Sequence, residues 1–207
     1  TADIMTFGDG VTEMRNLLLE GFLIASNVSS NYMGIKTRRC VRTRVSNVDV
    51  GTPDRGGWFL AGGFQFDNFD DLSVNDIQAM ATNRGIILNS GGDAWIGGGS
   101  KIMNQSSVPA LVDGSEGIHL GGNCGGVSID EIDIIYCGRG VVITKDLTAT
   151  PNREIFFGNS CFVDSCGWDG VRATASSFGS LHFDGTWICS NGLRTTGAHA
   201  AYGIRVE

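Results

Sequence analysis

The sequence predicts an all-β chain folded as a single right-handed parallel β-helix, a solenoid of about seven coils. Three observations carry this. A Gly–apolar–any–apolar unit recurs seven times, a second unit of period two alternates with it in fixed order, and glycine supplies 31 of 207 residues. That glycine share is roughly twice the usual one, and it implies many tight turns. With 42% apolar residues there is enough to build a core, and with only 3 prolines the chain is not of the Pro/Gly-rich disordered type.

The first unit reads Gly34-Ile35-Lys36-Thr37, Gly57-Trp58-Phe59-Leu60, Gly85-Ile86-Ile87-Leu88 and Gly117-Ile118-His119-Leu120, then Gly140-Val141-Val142-Ile143, Gly170-Val171-Arg172-Ala173 and Gly203-Ile204-Arg205-Val206. The second is an apolar residue, two turn residues, then apolar–any–apolar. It reads Leu19–Ile24, Val45–Val50, Phe69–Val74, Ile129–Ile134 and Phe183–Ile188, with one extra residue in Ile96–Ile102 and Phe157–Val163. Alternation with period two argues strands. No coil can bury its apolar face alone, so successive coils must stack about 4.8 Å apart.

Stacking predicts inward columns: Phe22, Val48, Leu72, Ile132 and Thr186; Ile24, Val50, Val74, Ile102, Ile134, Val163 and Ile188; and Trp58, Ile86, Ile118, Val141, Val171 and Ile204. The corner pairs, such as Ser46-Asn47, Asp70-Asp71 and Asp130-Glu131, are turn formers, and the glycine before each third strand suits positive φ or close backbone approach. One domain, residues 1–207, is expected, with Thr1–Asn16 as a partial lower cap. Because the last repeat ends on a strand at Val206-Glu207, the reading is of a piece of a longer solenoid.

The composition also argues against several function classes. The net charge is −7 and the basic residues are scattered, against nucleic-acid binding. No apolar run approaches the roughly 18 residues of a membrane-spanning helix, so membrane insertion is not expected. The six cysteines form no CxxC pair and have no nearby histidine in zinc spacing; they read as small apolar residues, with a disulfide left open. Neither a metal nor a cofactor is expected.

Outward residues are the candidates for chemistry. One predicted column is Leu23, Asp49, Ser73, Lys101, Asp133, Phe162 and Trp187; the next holds Ile135, Asp164 and Cys189. Asp133 and Asp164 then lie one coil apart and two residues offset, about 8 Å between Cα atoms. That suits an acid and a base flanking a glycosidic bond. Phe162 and Trp187 stand above Asp133, and Trp95, Phe156 and His182 face out just before the corner. Exposed rings beside acids suit the flat C–H faces of sugars, and they suit subunit contacts as well. Arg172 and Arg205 face out from the third strand, placed to meet an acidic sugar. His119 and His182 are the histidines considered as general bases, and Asp169 in Gly167-Trp168-Asp169-Gly170 reads as a turn residue.

The coil pattern resembles the pectate-lyase-like β-helix superfamily over nearly the whole chain, and within it most resembles the tailspike and depolymerase proteins of bacteriophages. The resemblance implies a homotrimer on the virion tail that attaches to the host, recognises a bacterial capsule or O-antigen polysaccharide, and cleaves it as a glycosidase or a lyase. On that reading Asp133 and Asp164 are catalytic, and Trp187, Phe162, His182, Arg172 and Arg205 bind substrate. Two alternatives stand beside it: a non-catalytic adhesin or fibre shaft, and a secreted pectinase-like enzyme. The galacturonase pattern, Asn-Thr-Asp followed by Asp-Asp, is absent from the sequence, which weighs against the pectinase.

Overall fold

A computed structural model describes residues 3–25, 32–51, 61–80, 83–103, 115–145, 150–174, 176–192 and 202–207. The described residues contain strands and turns and no helix, and the strands stack in parallel as a β-solenoid of about six turns, against the seven predicted. The terminal strands Met5–Phe7 and Ile204–Val206 each join the stack from one side, so counting repeat copies overcounts turns.

Two parallel sheets wind along the solenoid. The first stacks Met33–Arg38, the opening of Gly62–Met80, Arg84–Gly91, Glu116–Leu120, Arg139–Ile143 and Val171–Ala173 between those terminal strands. The second stacks Leu18–Ile24, Cys40–Val50 and the remainder of Gly62–Met80. Above them each coil contributes a pair of short strands, such as Gly126–Ile129 with Ile132–Ile135 and Asn152–Phe157 with Cys161–Asp164. A left-handed residue bends this sheet between the two strands of each coil: Gly21, Asn47, Asp76, Glu131, Ser160 and Gly185 all have φ between 47° and 72°.

The inward columns hold in kind, with two corrections. In the first sheet the column runs Ile35, Phe64, Ile86, Ile118, Val141 and Val171, all fully buried. Phe64 takes the place assigned to Trp58; the copy Gly57–Leu60 lies outside the described residues. In the second sheet, Leu72 and Val74 pair with Thr43 and Val45, before the corner, while Ile77 and Ala79 occupy the places after it. The Asp70-Asp71 turn is real but belongs to another corner. Asp71 (φ 52°) stacks with Asn16 and Arg42 (57° and 56°), and the sequence offered two turn signals a few residues apart. The outward column therefore reads Leu23, Asp49, Gln78, Lys101, Asp133, Phe162 and Trp187, with Gln78 in place of Ser73. Near the start, Met5–Phe7 and Met14–Arg15 extend the two sheets rather than capping them.

The glycine before the first-sheet strand at Gly34, Gly85, Gly117, Gly140 and Gly170 is required by close approach and not by positive φ. A Cβ on Gly117 would sit 2.4 Å from Ile134 Cγ2 and 2.5 Å from the Gly140 carbonyl oxygen; on Gly140, 2.3 Å from Val163 Cγ1 and 2.4 Å from the Gly170 oxygen. Real Cβ contacts are not that short, so the glycine ladder sets how tightly the two sheets meet. All the cysteines but Cys189 are buried. Burial pushes the Cys161 thiol up to about 12, with the charges of Asp130 and Asp133 adding to it. That favours the neutral thiol at Cys161, which packs in the core.

Candidate functional site

The outer face of the second sheet carries the exposed chemistry. Residues facing out before the corner stack as Arg44, Ser73, Trp95, Ser128, Phe156 and His182. The parallel register aligns them because each lies a fixed distance from the same corner. The acids Asp71, Asp93 and Glu154 lie two residues earlier in the chain, each again facing out. The two rows enclose an open groove of about 490 Å³, lined by Arg44, Asp71, Asp93, Trp95, Glu154 and Phe156 among others. Arg44 Nη2 is 3.0 Å from Asp71 Oδ1, and Arg44 Nη1 donates to the Asp71 carbonyl at 2.8 Å. Asp93 Oδ1 accepts from the Gly126 amide at 3.1 Å, which fixes that carboxylate at the rim. Among the described residues neither Asp93 nor Glu154 has a cationic partner.

Past the corner lies the predicted column. Asp133 pairs in register with Lys101 on one side and Phe162 on the other. Phe162 and Trp187 are exposed, 38% and 63%, and their rings meet at 6.3 Å and 43°. Phe156 and His182 form a similar tilted pair at 6.2 Å. Asp133 lines a shallow depression of about 340 Å³ with Gly99, Ser100, Glu131 and Ser160. Asp164 pairs with Ile135 and Cys189, one coil from Asp133 and two residues along, as the register requires. One carboxylate oxygen of Asp164 is buried without a hydrogen-bond partner. Desolvation, with Asp164 alongside, pushes up the Cys189 thiol.

The first sheet holds the remaining candidates and does not bring them to this face. Arg172 and Arg205 stack in register and converge on one carboxylate, Glu207, with Arg205 at 2.8 Å. His119 is engaged on both sides: Nδ1 lies 2.7 Å from Glu116 Oε2, and Nε2 lies 3.3 Å from Thr144 Oγ1. Arg84 Nε is 2.8 Å from the same Glu116 oxygen. Burial alone would raise the Glu116 pKa; the hydrogen bond and charge of His119, with Arg84 and Arg139, outweigh it and hold the carboxyl below its ordinary value. Asp169 is buried and accepts from the Tyr202 amide at 3.1 Å, a link to the next coil.

Two features went unread in the sequence. The row Asp71, Asp93, Glu154 is signalled by an acid two residues ahead of an outward position (Asp71-x-Ser73, Asp93-x-Trp95, Glu154-x-Phe156), a pattern that shows once Ser73 is placed before the corner. The second is the coupling of the outward Asp49 to Asp76. Partial burial, then the charge of Asp76 one coil away, raises the Asp49 pKa. No group of three or more potential ligands for a metal ion occurs among the described residues. No protein-family model, curated protein or solved structure matches the chain.

Proposed function

We propose that this is a phage tailspike-type domain whose second-sheet face binds, and cleaves, a bacterial surface polysaccharide. The observation that carries the binding is the groove: Trp95 and Phe156 supply ring faces for sugar C–H surfaces. Beside them Arg44, Asp71, Asp93 and Glu154 supply polar groups that orient hydroxyls. The exposed rings Phe162, Trp187 and His182 continue the platform past the groove. Cleavage by hydrolysis would use Asp133 and Asp164, one coil apart and two residues offset, as acid and base. Virion location and a trimer belong to the same proposal.

The test is depolymerisation of capsular and O-antigen polysaccharides, followed by reducing ends and by absorbance of unsaturated products. Reducing ends lost in Asp133→Asn and Asp164→Asn support hydrolysis by this pair. Unsaturated products point to a lyase, and full activity in the double variant overturns the pair.

A second reading, binding without cleavage, is favoured by one observation. Asp164 keeps one oxygen away from solvent, whereas a general base must reach a water. Binding with no product from any bound polysaccharide would establish it.

A further inference from the structure

Resting on that reading, we infer that the groove of Trp95 and Phe156 takes an uncharged glycan strand and excludes polyuronates and other polyanions. The argument is one of charge placement. Of the four charged side chains named at the groove, one is a cation, Arg44, and it is already committed to Asp71 by its ion pair and by a second bond to that residue's carbonyl. The carboxylates Asp93 and Glu154 flank the two rings in sequence and register, and no cation among the described residues neutralises them. A strand lying on Trp95 and Phe156 therefore passes two uncompensated negative charges.

Hydroxyls and acetamido N–H groups donate to such carboxylates. Sugar carboxylates meet like charge and lose solvation on entering. Arg172 and Arg205, the arginines suited to an acidic sugar, lie on the other sheet and share Glu207. The net charge of −7 adds a repulsive long-range field for polyanions.

The groove also runs along the solenoid. Its floor steps from Arg44 through Ser73, Trp95 and Ser128 to Phe156, four rung intervals or about 19 Å. That accommodates several sugars in a row, so the ligand is a segment of a linear chain laid along the axis.

The experiment is an array of bacterial capsular and O-antigen polysaccharides, classed as uncharged or acidic, probed with the whole chain, Trp95→Ala, Phe156→Ala and the double variant Asp93→Lys/Glu154→Lys. Circular dichroism confirms that each variant folds. The inference expects uncharged strands among the ligands, affinity lower by roughly tenfold in each ring variant, and less than about twofold dependence on salt. Gain of acidic strands by the lysine variant supports it further. Acidic ligands bound by the unmodified chain through Trp95 and Phe156 overturn the inference and leave polysaccharide recognition standing. Binding of uncharged strands untouched by either ring variant overturns the groove as the site. Binding to nothing on the array overturns both the inference and the reading beneath it.

Discussion

The two sheets share one interior and differ outside. On the first, the charged groups are engaged with each other: Lys36 lies 3.4 Å from Asp67, Asn89 donates to Asp67 at 2.9 Å, Arg84 and His119 close on Glu116, and Arg172 and Arg205 close on Glu207. On the second, tilted ring pairs stand exposed and Asp49, Asp93, Asp133 and Glu154 lack a cationic partner among the described residues. Rung spacing, register and apolar columns are common to both. The solenoid thus specifies where an outward residue stands and leaves open what stands there, so fold alone does not assign the activity.

The sharpest way to separate inside from outside is a pair of adjacent phenylalanines. Phe157 is fully buried and stacks on Phe183 at 4.8 Å; Phe156 is 41% exposed. Phe157→Ala is expected to cost about 4 kcal/mol, and Phe156→Ala within about 0.5 kcal/mol while weakening glycan binding. Denaturant midpoints together with binding isotherms check this. Equal losses of stability would mean that the exposed face is structural.

Next is the seam between the sheets. Gly140→Ala must displace both Val163 and the neighbouring Gly170 carbonyl, and should cost about 3 kcal/mol. Gly99→Ala is the control. Nothing lies within 4 Å of its Cβ, so only its φ of 82° opposes the change, at about 1 kcal/mol. If the two cost the same, close approach is not what requires glycine in the ladder.

What the sequence made legible follows the same division. Inward residues repeat, because each must match the residue above and below it, so the columns through Ile86, Ile118 and Val141 could be read by period. Outward residues obey no such rule. Asp133, Phe162 and Trp187 were placed because their strands begin just after an unambiguous corner. The slip at Leu72 and Val74 arose where two genuine corners, at Asp71 and Asp76, lie five residues apart. It puts Ser73 in the wrong column and hides Asp71 as the start of the row that Asp93 and Glu154 continue. Engagement of Arg172, Arg205 and His119 by Glu207 and Glu116 depends on side-chain direction, which spacing does not encode.

Glu116 tests the neutralised face. Its folded pKa is lowered, so its contribution to stability is present above the unfolded value of 4.5 and is lost as pH falls through the folded pKa. Glu116→Gln should cost about 2 kcal/mol near neutral pH, since it leaves Arg84 and His119 facing an uncharged amide. The gap between the two proteins should shrink below pH 4.5, as the carboxylate of the unmodified chain is protonated. Urea unfolding across pH 3 to 7 measures it. A gap independent of pH would show that the cluster contributes packing and not charge.

The smallest effect probes the face left charged. Partial burial and then the neighbouring Asp76 raise the Asp49 pKa. A raised carboxyl has the opposite sign: its ionised form destabilises the fold above the folded pKa, and the penalty is relieved as pH falls toward the unfolded value of 3.8. Asp76→Asn removes the like charge, and asparagine tolerates the left-handed backbone at this corner, φ 47°. Both groups reach solvent, so screening limits the gain to a few tenths of a kcal/mol at neutral pH, vanishing below pH 3.8. A carboxyl NMR titration should show the Asp49 pKa falling in the variant. An unchanged value would mean that desolvation alone raises it, and that the acids of the second sheet stand far enough apart to act independently.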